Sequence, residues 1–233
     1  MKNIYKILIY IFGISIFSSC QMFIDKDITN DLSVISTKPI MEIQGKPILS
    51  LKVGENYVDA GVKAYGGDSI FDTKIVGGKV NPNQAGFYVV TYEGVNGYNW
   101  KSYAFRAVLV HENNNPYFFD IAGIYTGGNI LDVAGVNPII SKYTEDPKVK
   151  GYWKMSNVWK ATGIDFPIIF ADLSDGNYGV VPGVQPTKGK YIGTGHYIHN
   201  PSPMVNDEVE FIITTYDKNG DPIPVTHKWK LKN

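Results

Sequence analysis

The chain contains a single cysteine, Cys20, so no internal disulfide can form and the fold must rest on packing alone. Charge of one sign is also missing: 22 Lys and Arg stand against 22 Asp and Glu. Without a basic excess there is no electrostatic footprint for a phosphate backbone, and no nucleic-acid partner is expected. The longest apolar run, residues 7–17 (ILIYIFGISIF), falls short of the ~20 residues that span a bilayer as a helix. Catalytic signatures are lacking too. No Gly-x-Ser-x-Gly and no Gly-x-x-x-x-Gly-Lys-Ser/Thr occurs, which removes the nucleophile elbow and the phosphate loop. With charged residues at 19% and hydrophobic ones at 44%, the chain is neither a disordered tail nor a coiled coil. What it has in quantity is turn formers and aromatics: 24 Gly, 13 Pro and 16 Tyr. That mixture favours short strands joined by tight turns.

Lys2 and Lys6 precede the apolar run, and Ser18 and Ser19 lead from it to Cys20. A short positive stretch, an apolar core and small residues describe an export signal. The run Phe17-Ser18-Ser19-Cys20 resembles the lipobox of bacterial lipoproteins, with Phe17 where Leu is commoner. The resemblance implies a signal peptide over 1–19, lipidation of Cys20, and membrane attachment through that lipid. Residues 20–38 are rich in Asp, Asn, Ser and Thr without a sustained period, and are read as anchor and flexible tether.

Residues 39–112 alternate clearly. Phe87, Val89 and Thr91 oppose Tyr88, Val90 and Tyr92, while Tyr103, Phe105, Ala107 and Leu109 oppose Ala104, Arg106, Val108 and Val110. Asn96-Gly97 between them predicts a hairpin, with positive φ expected at that pair. Gly54, Gly61, Gly66-Gly67 and Gly77-Gly78 punctuate the rest, as expected of an antiparallel sandwich of about seven strands. Pro47-Ile48-Leu49, residues 53–62 (VGENYVDAGV), residues 85–92 (AGFYVVTY) and residues 106–110 (RAVLV) follow in order. Together they resemble the bacterial immunoglobulin-like domain also found in a pesticidal crystal protein and related to hyalin repeats. That resemblance implies a spacer or adhesion module and no catalysis.

His111 to Pro116 forms a polar break, and residues 116–233 follow as a second unit. Eight candidate strands are read there, at 123–131, 138–144, 149–158, 166–173, 178–181, 190–199, 208–216 and 225–232, with no convincing helix between them. Val209, Phe211, Ile213 and Thr215 alternate with Glu208, Glu210, Ile212, Thr214 and Tyr216. Residues 217–221 make a hairpin turn, and Val225, His227, Trp229 and Leu231 share a face of the closing strand. The fold class is therefore all-β: an Ig-like β-sandwich followed by an antiparallel β-barrel-like domain, two packed sheets being the alternative. Segments 155–158 (MSNV), 163–167 (GIDFP) and 178–182 (YGVVP) after an Ig-like domain resemble two-domain surface lipoproteins of gut Bacteroides. Relatives of that kind are associated with polysaccharide-utilisation systems, beside an outer-membrane transporter and a glycan-binding lipoprotein.

For chemistry, His196 and His199 sit three apart, so on a strand they point to opposite faces and one ion does not easily take both unless the segment turns. Asp165, Asp172 and Asp175 cluster near loop ends, where Asp is ordinary turn chemistry rather than a glycosidase pair. No catalytic residue, no metal site and no cofactor is expected. Aromatics are the suggestive feature, because sugar rings stack their C–H faces on exposed aromatic faces. The glycan-binding candidates are Trp153, Trp159, Trp100, Tyr98 and Tyr178, with Tyr152, Tyr191 and Tyr197 behind them; Trp229 is assigned to core. Trp153 and Trp159 lie six apart, which puts both on one face of a continuous strand. Outward, they would form a platform; inward, barrel filling, the reading that Met155 on the same face slightly favours. The expected function is a non-enzymatic, lipid-anchored outer-membrane protein, binding poly- or oligosaccharide or serving an outer-membrane transporter complex. A structural or adhesive lipoprotein binding protein partners is the first alternative, a hydrolase the second.

Overall fold

The computed structural model describes residues 38–127, 137–159, 165–185, 189–202, 206–217 and 219–232. The expected export signal, Cys20 and the expected tether up to residue 37 lie outside the described residues. Among the described residues all regular structure is β, as the sequence predicts. Seven strands come first: β1 (Ile40–Ile43), β2 (Ile48–Lys52), β3 (Val62–Gly66), β4 (Ser69–Phe71), β5 (Thr73–Gly77), β6 (Gly86–Val95) and β7 (Lys101–His111). They form two sheets, β1-β3-β4 and β2-β7-β6-β5. One pair departs from the antiparallel expectation. β2 runs parallel to β7, with Ile48 opposite Ala107 and Lys52 opposite His111. The chain leaves β1 for the other sheet and joins it alongside its last strand, a long-range pairing that local alternation does not encode.

Eight strands follow: β8 (Gly123–Thr126), β9 (Ile139–Lys142), β10 (Tyr152–Met155), β11 (Ile168–Ser174), β12 (Asn177–Gln185), β13 (Gly189–Ile198), β14 (Glu208–Tyr216) and β15 (Pro222–Leu231). They close as an antiparallel barrel in the order β10-β11-β12-β13-β14-β15-β8-β9, so the barrel rather than the two-sheet alternative is what forms. Closure removes the unpaired edges that an open eight-stranded sheet would expose. Period two sorts the side chains. Val209, Phe211 and Ile213 enter the barrel, while Glu208 and Glu210 stay outside and pair with Lys230 and Lys228 across β14 and β15, at 3.2 and 2.6 Å. Two turns follow the expected chemistry. Asp175 (φ 48°) and Gly176 (φ 76°) link β11 to β12, both with positive φ as a type I′ hairpin requires. Asp217 Oδ1 accepts the N–H groups of Asn219 and Asp221, each at 2.8 Å, in the last hairpin.

The barrel interior is aromatic and full. Trp153, Trp229, Tyr125, Tyr178, Phe166, Phe170 and Phe211 are all essentially solvent-free. Gly195 makes room for them, since a Cβ there would lie 2.5 Å from Phe211 Cε1.

The two halves share a core. Even positions of β6 and β7 (Val90, Tyr92, Val108, Val110) pack between the two sheets of the sandwich. Leu109 and Phe87, on the opposite face, pack with Ile48 against Val149, Tyr152 and Ala171 of the barrel half. β7 is therefore buried on both faces from Phe105 to Val110, which is why apolar residues occupy both of its registers. Tyr152 Oη donates to the Leu49 carbonyl at 3.0 Å, and Lys190 Nζ lies 5.4 Å from the ring centroids of Tyr103, Phe105 and Tyr216. A Lys46–Asp146 ion pair adds a rim contact. Residues Lys38–Asn233 make a single compact unit.

One buried group sets an acid limit. His227 projects into the barrel against Trp159, ring centroids 4.8 Å apart, and its Nε2 has no hydrogen-bond partner. Burial disfavours the imidazolium and pushes the pKa from 6.5 to about 4. Between those values the unfolded chain binds a proton that the folded chain refuses, so acid favours unfolding. Stability should be intact above pH 6.5 and fall as the pH approaches 4, by roughly 3 kcal/mol for this group. Urea denaturation at pH 7 and pH 4.5 checks this, and His227→Leu should flatten that part of the profile.

Candidate functional site

β6 and β7 make the longest hairpin of the sandwich, paired from Gly86–Val110 to Val95–Lys101. Its loop, residues 96–100, is braced from inside. The buried Asn96 side chain accepts, through Oδ1, the N–H groups of Tyr98 at 3.0 Å and Trp100 at 2.9 Å. Its carbonyl accepts from Asn99 N at 3.0 Å, and its own N–H donates to the Trp100 carbonyl at 3.1 Å. The positive φ expected at Asn96-Gly97 falls instead on Asn99, at 61°. Asn tolerates this region better than most residues. A five-residue connection, longer than the two-residue turn that Asn-Gly suggests, moves the reversal along the loop.

This brace holds two aromatic side chains in solvent. Tyr98 is 59% exposed and Trp100 47%, with Lys38 Nζ 6.0 Å from the Trp100 ring centroid. Two pairs back from the closing pair Val95–Lys101, Glu93 stands opposite Tyr103. Tyr103 Oη donates to Glu93 Oε2 at 3.0 Å, and Lys74 and Lys101 pair with the same carboxylate at 3.1 and 3.2 Å. Hydrogen bonding from Lys74 holds the Glu93 carboxyl below its ordinary range against the opposing effect of burial; Lys101 and Tyr103 add to it. Burial and the Glu93 charge push the Tyr103 phenol up. Sequence reasoning missed Glu93 and Tyr103: Tyr103 shares the Lys101 face of β7, the opposite parity from Trp100, so alternation from the loop aromatics does not lead to the pair. With both carboxylate oxygens engaged by ammonium groups, Glu93 is poorly placed to take a proton from a substrate. The tip offers ring faces and fixed charges, the equipment of a binding surface.

The other candidates lie elsewhere. Trp153 is 0% exposed and Tyr178 1%, so neither presents a ring to a ligand. Trp153 is walled in by Tyr117, at 5.0 Å between centroids, and its Nε1 donates to Asp172 Oδ2 at 3.4 Å. Tyr178 packs edge-on against Phe170 at 5.1 Å. Trp159 is half-buried between Phe166 and His227. The premise that Trp153 and Trp159 share a continuous strand also fails: β10 stops at Met155, and Asn157 Oδ1 then holds the N–H groups of Trp159 and Phe166 in a turn. Tyr152 points away from Trp153, as expected, but into the sandwich rather than into solvent. Trp229 is core. His199 pairs with Asp207 at 3.1 Å and His196 meets Asn177 at 3.3 Å, so the two rings have separate partners. Asp172 is buried and accepts from Phe118 N at 3.0 Å, while Asp175 sits in the β11–β12 turn.

The described residues thus define an all-β protein in which an Ig-like sandwich is joined to a closed eight-stranded barrel. Residues 41–110 match the family described as bacterial surface protein, Ig-like domain. No curated protein matches the chain. Among solved structures it is similar to the crystal structure of the lipoprotein BT2262 from Bacteroides thetaiotaomicron, at 17% identity and a TM-score of 0.31, over 82% of this chain and 99% of that one. It is also similar to the structure of CBM51-2 in complex with GlcNAc and INT domains from Clostridium perfringens ZmpB, at 11% identity and a TM-score of 0.28. That alignment covers 84% of this chain and 44% of the other.

Proposed function

We propose that this chain is a non-enzymatic, lipid-anchored surface lipoprotein of the outer membrane that binds glycan, or supports a glycan-uptake complex, through the tip of its Ig-like sandwich. The observation that carries the reading is the pair Tyr98 and Trp100, exposed on a loop whose backbone is pinned by a buried asparagine. Rings fixed before a ligand arrives lose little conformational freedom on binding. Their faces suit the apolar C–H surface of a sugar. The match of residues 41–110 to a bacterial surface domain supports the surface location. The lipobox-like run ending at Cys20 supports the anchor.

Affinity-gel electrophoresis against a panel of polysaccharides tests the binding. A retarding glycan should lose most of its effect on Trp100→Ala and Tyr98→Ala, with melting temperatures unchanged because both side chains are exposed. Retention that ignores both substitutions would remove this loop from the reading. For the anchor, Cys20→Ala should abolish lipid labelling and release the protein from the membrane fraction; a variant that stays anchored refutes it.

A second reading, a structural or adhesive surface protein with a protein partner, has its own observation. Ile70 (84% exposed), Ile75 (56%) and Val76 (46%) stand on the edge strands β4 and β5 of the sandwich. Exposed apolar side chains on unpaired strand edges suit strand-to-strand contact.

A further inference from the structure

Between the sandwich and the barrel, under the connection from β7 to β8, lies a cleft of about 390 Å³. It falls within the ~300–1,000 Å³ range of small-ligand sites. Its floor is Leu109 of β7 with Asp172 and Leu173 of β11; its wall is Tyr117 and Phe118; Glu112, Asn113 and Asn115 form the rim. The geometry points to a second carbohydrate subsite here, for a neutral sugar end, and this rests on the glycan reading above.

Three features carry it. First, the wall holds an exposed ring in a fixed place. Phe118 is 53% exposed, yet its N–H is tied to the buried Asp172 carboxylate at 3.0 Å and its ring meets Phe119 edge-on at 4.8 Å. Tyr117 beside it is anchored on Trp153, at 5.0 Å between centroids. An aromatic at the surface whose backbone is held by a core carboxylate is a rigid stacking face. Second, the rim is made of amides and a carboxylate, groups that donate to and accept from hydroxyls. The Asn113 backbone is itself positioned, its main-chain carbonyl lying 2.6 Å from His111 Nδ1. Third, the lining carries the acids Glu112 and Asp172 and neither Lys nor Arg. Its one imidazole, His111, has Nδ1 turned to the Asn113 backbone carbonyl, and Lys142 lies over the Tyr117 ring rather than among the lining residues. An acidic sugar or a phosphate would therefore meet two carboxylates and no lining ammonium or guanidinium. Apolar floor, ring wall and hydroxyl-matching rim describe an uncharged polyol. The cleft exists only because the two halves share a core, which would make the junction a working part rather than a connection.

The test is saturation-transfer NMR and calorimetric titration of the full soluble chain with neutral gluco-, galacto- and manno-oligosaccharides, and with oligogalacturonate as the acidic control. Phe118→Ala, and Ala85→Trp, which fills the cleft from an exposed lining residue just before β6, should each weaken the neutral ligand about tenfold or more, with melting temperature unchanged. Trp100→Ala should leave that residual signal at the cleft in place. Neutral binding that is insensitive to Phe118→Ala and Ala85→Trp but lost in Trp100→Ala overturns the cleft and spares the glycan reading. Oligogalacturonate binding in the cleft as tightly as the neutral sugars overturns its charge selectivity. No binding of any oligosaccharide by the unsubstituted chain overturns both.

Discussion

Replacing Trp153 with alanine should cost about 3–5 kcal/mol of folding stability, the range for removing a fully buried aromatic side chain. The indole is 0% exposed and packs in the barrel core with Met155 and Phe170. Tyr117 closes one side of it, Lys142 Nζ lies 5.7 Å from the ring, and Nε1 donates to Asp172 Oδ2. Truncation therefore opens a cavity and also strips the buried Asp172 carboxylate of a donor, two costs of the same sign. Trp153→Phe should be milder, since it keeps most of the volume and loses the N–H with only part of the ring. Trp159→Ala should cost less than Trp153→Ala, because Trp159 is half-buried and adjoins a turn rather than a strand. Urea denaturation of the three variants checks the order: the midpoint should fall with little change in slope. A loss below about 1 kcal/mol for Trp153→Ala would mean that the side chain is not the barrel filler described.

The orientation of Trp153 was half legible in the sequence. Met155, two residues on, shares its face, and an apolar partner at period two points inward. What could not be read was the fate of the opposite face. Tyr152 and Lys154 suggest a wet side, yet Tyr152 is buried because the sandwich packs there, over a hundred residues away from its Leu49 partner along the chain. The same holds for β7. Its two apolar registers were visible, but only the tertiary arrangement explains them, one register facing β1-β3-β4 and the other the barrel. Barrel closure depends on brief pairings, Lys230–Thr126 and Leu231–Tyr125 on one side of β8 and Gly123–Ile140 and Ile124–Ile139 on the other. Pairings of two residues leave almost no periodic signal. β14 and β15, with nine paired positions, were plain. For the site, exposure was the deciding quantity, and alternation alone does not supply it. Tyr98 and Trp100 were distinguishable from the buried aromatics only as members of a turn. The wall of the cleft joins Phe118 to Asp172, a contact that no local pattern announces.

The second large effect is expected at Asp59, where alanine should destabilise the protein by about 3 kcal/mol, the scale for orphaning one member of a buried ion pair. Arg106 is 1% exposed, in the middle of β7 between the two sheets of the sandwich. Its Nη1 pairs with Asp59 Oδ1 and donates to Tyr92 Oη at 2.8 Å. Nε donates to the Lys46 carbonyl at 3.1 Å, and Nη2 to the carbonyls of Gln44 and Gly61. The guanidinium thus holds together the turn after β1, the entry to β3 and the centre of β7. Asp59 accepts in return from Tyr92 Oη at 2.6 Å and Gly61 N at 2.9 Å. Burial first, and the Asp59 hydrogen bond next, push the Tyr92 phenol up, so Tyr92 stays a donor at any working pH. Asp59→Ala leaves a buried cation facing only neutral acceptors. Arg106→Met keeps much of the volume but leaves the Asp59 carboxylate without its cation and takes the guanidinium donors from the Lys46, Gln44 and Gly61 carbonyls, and should cost a similar amount. Because each single change already disrupts the same network, the double variant should cost clearly less than the sum of the two. Since the pair is largely withdrawn from water, 1 M salt should change little. Denaturation curves of the four proteins at low and high salt measure the coupling. Additive losses, or an Asp59→Ala cost that vanishes in salt, would reduce Arg106 and Asp59 to a surface pair and leave the sandwich core to apolar packing alone.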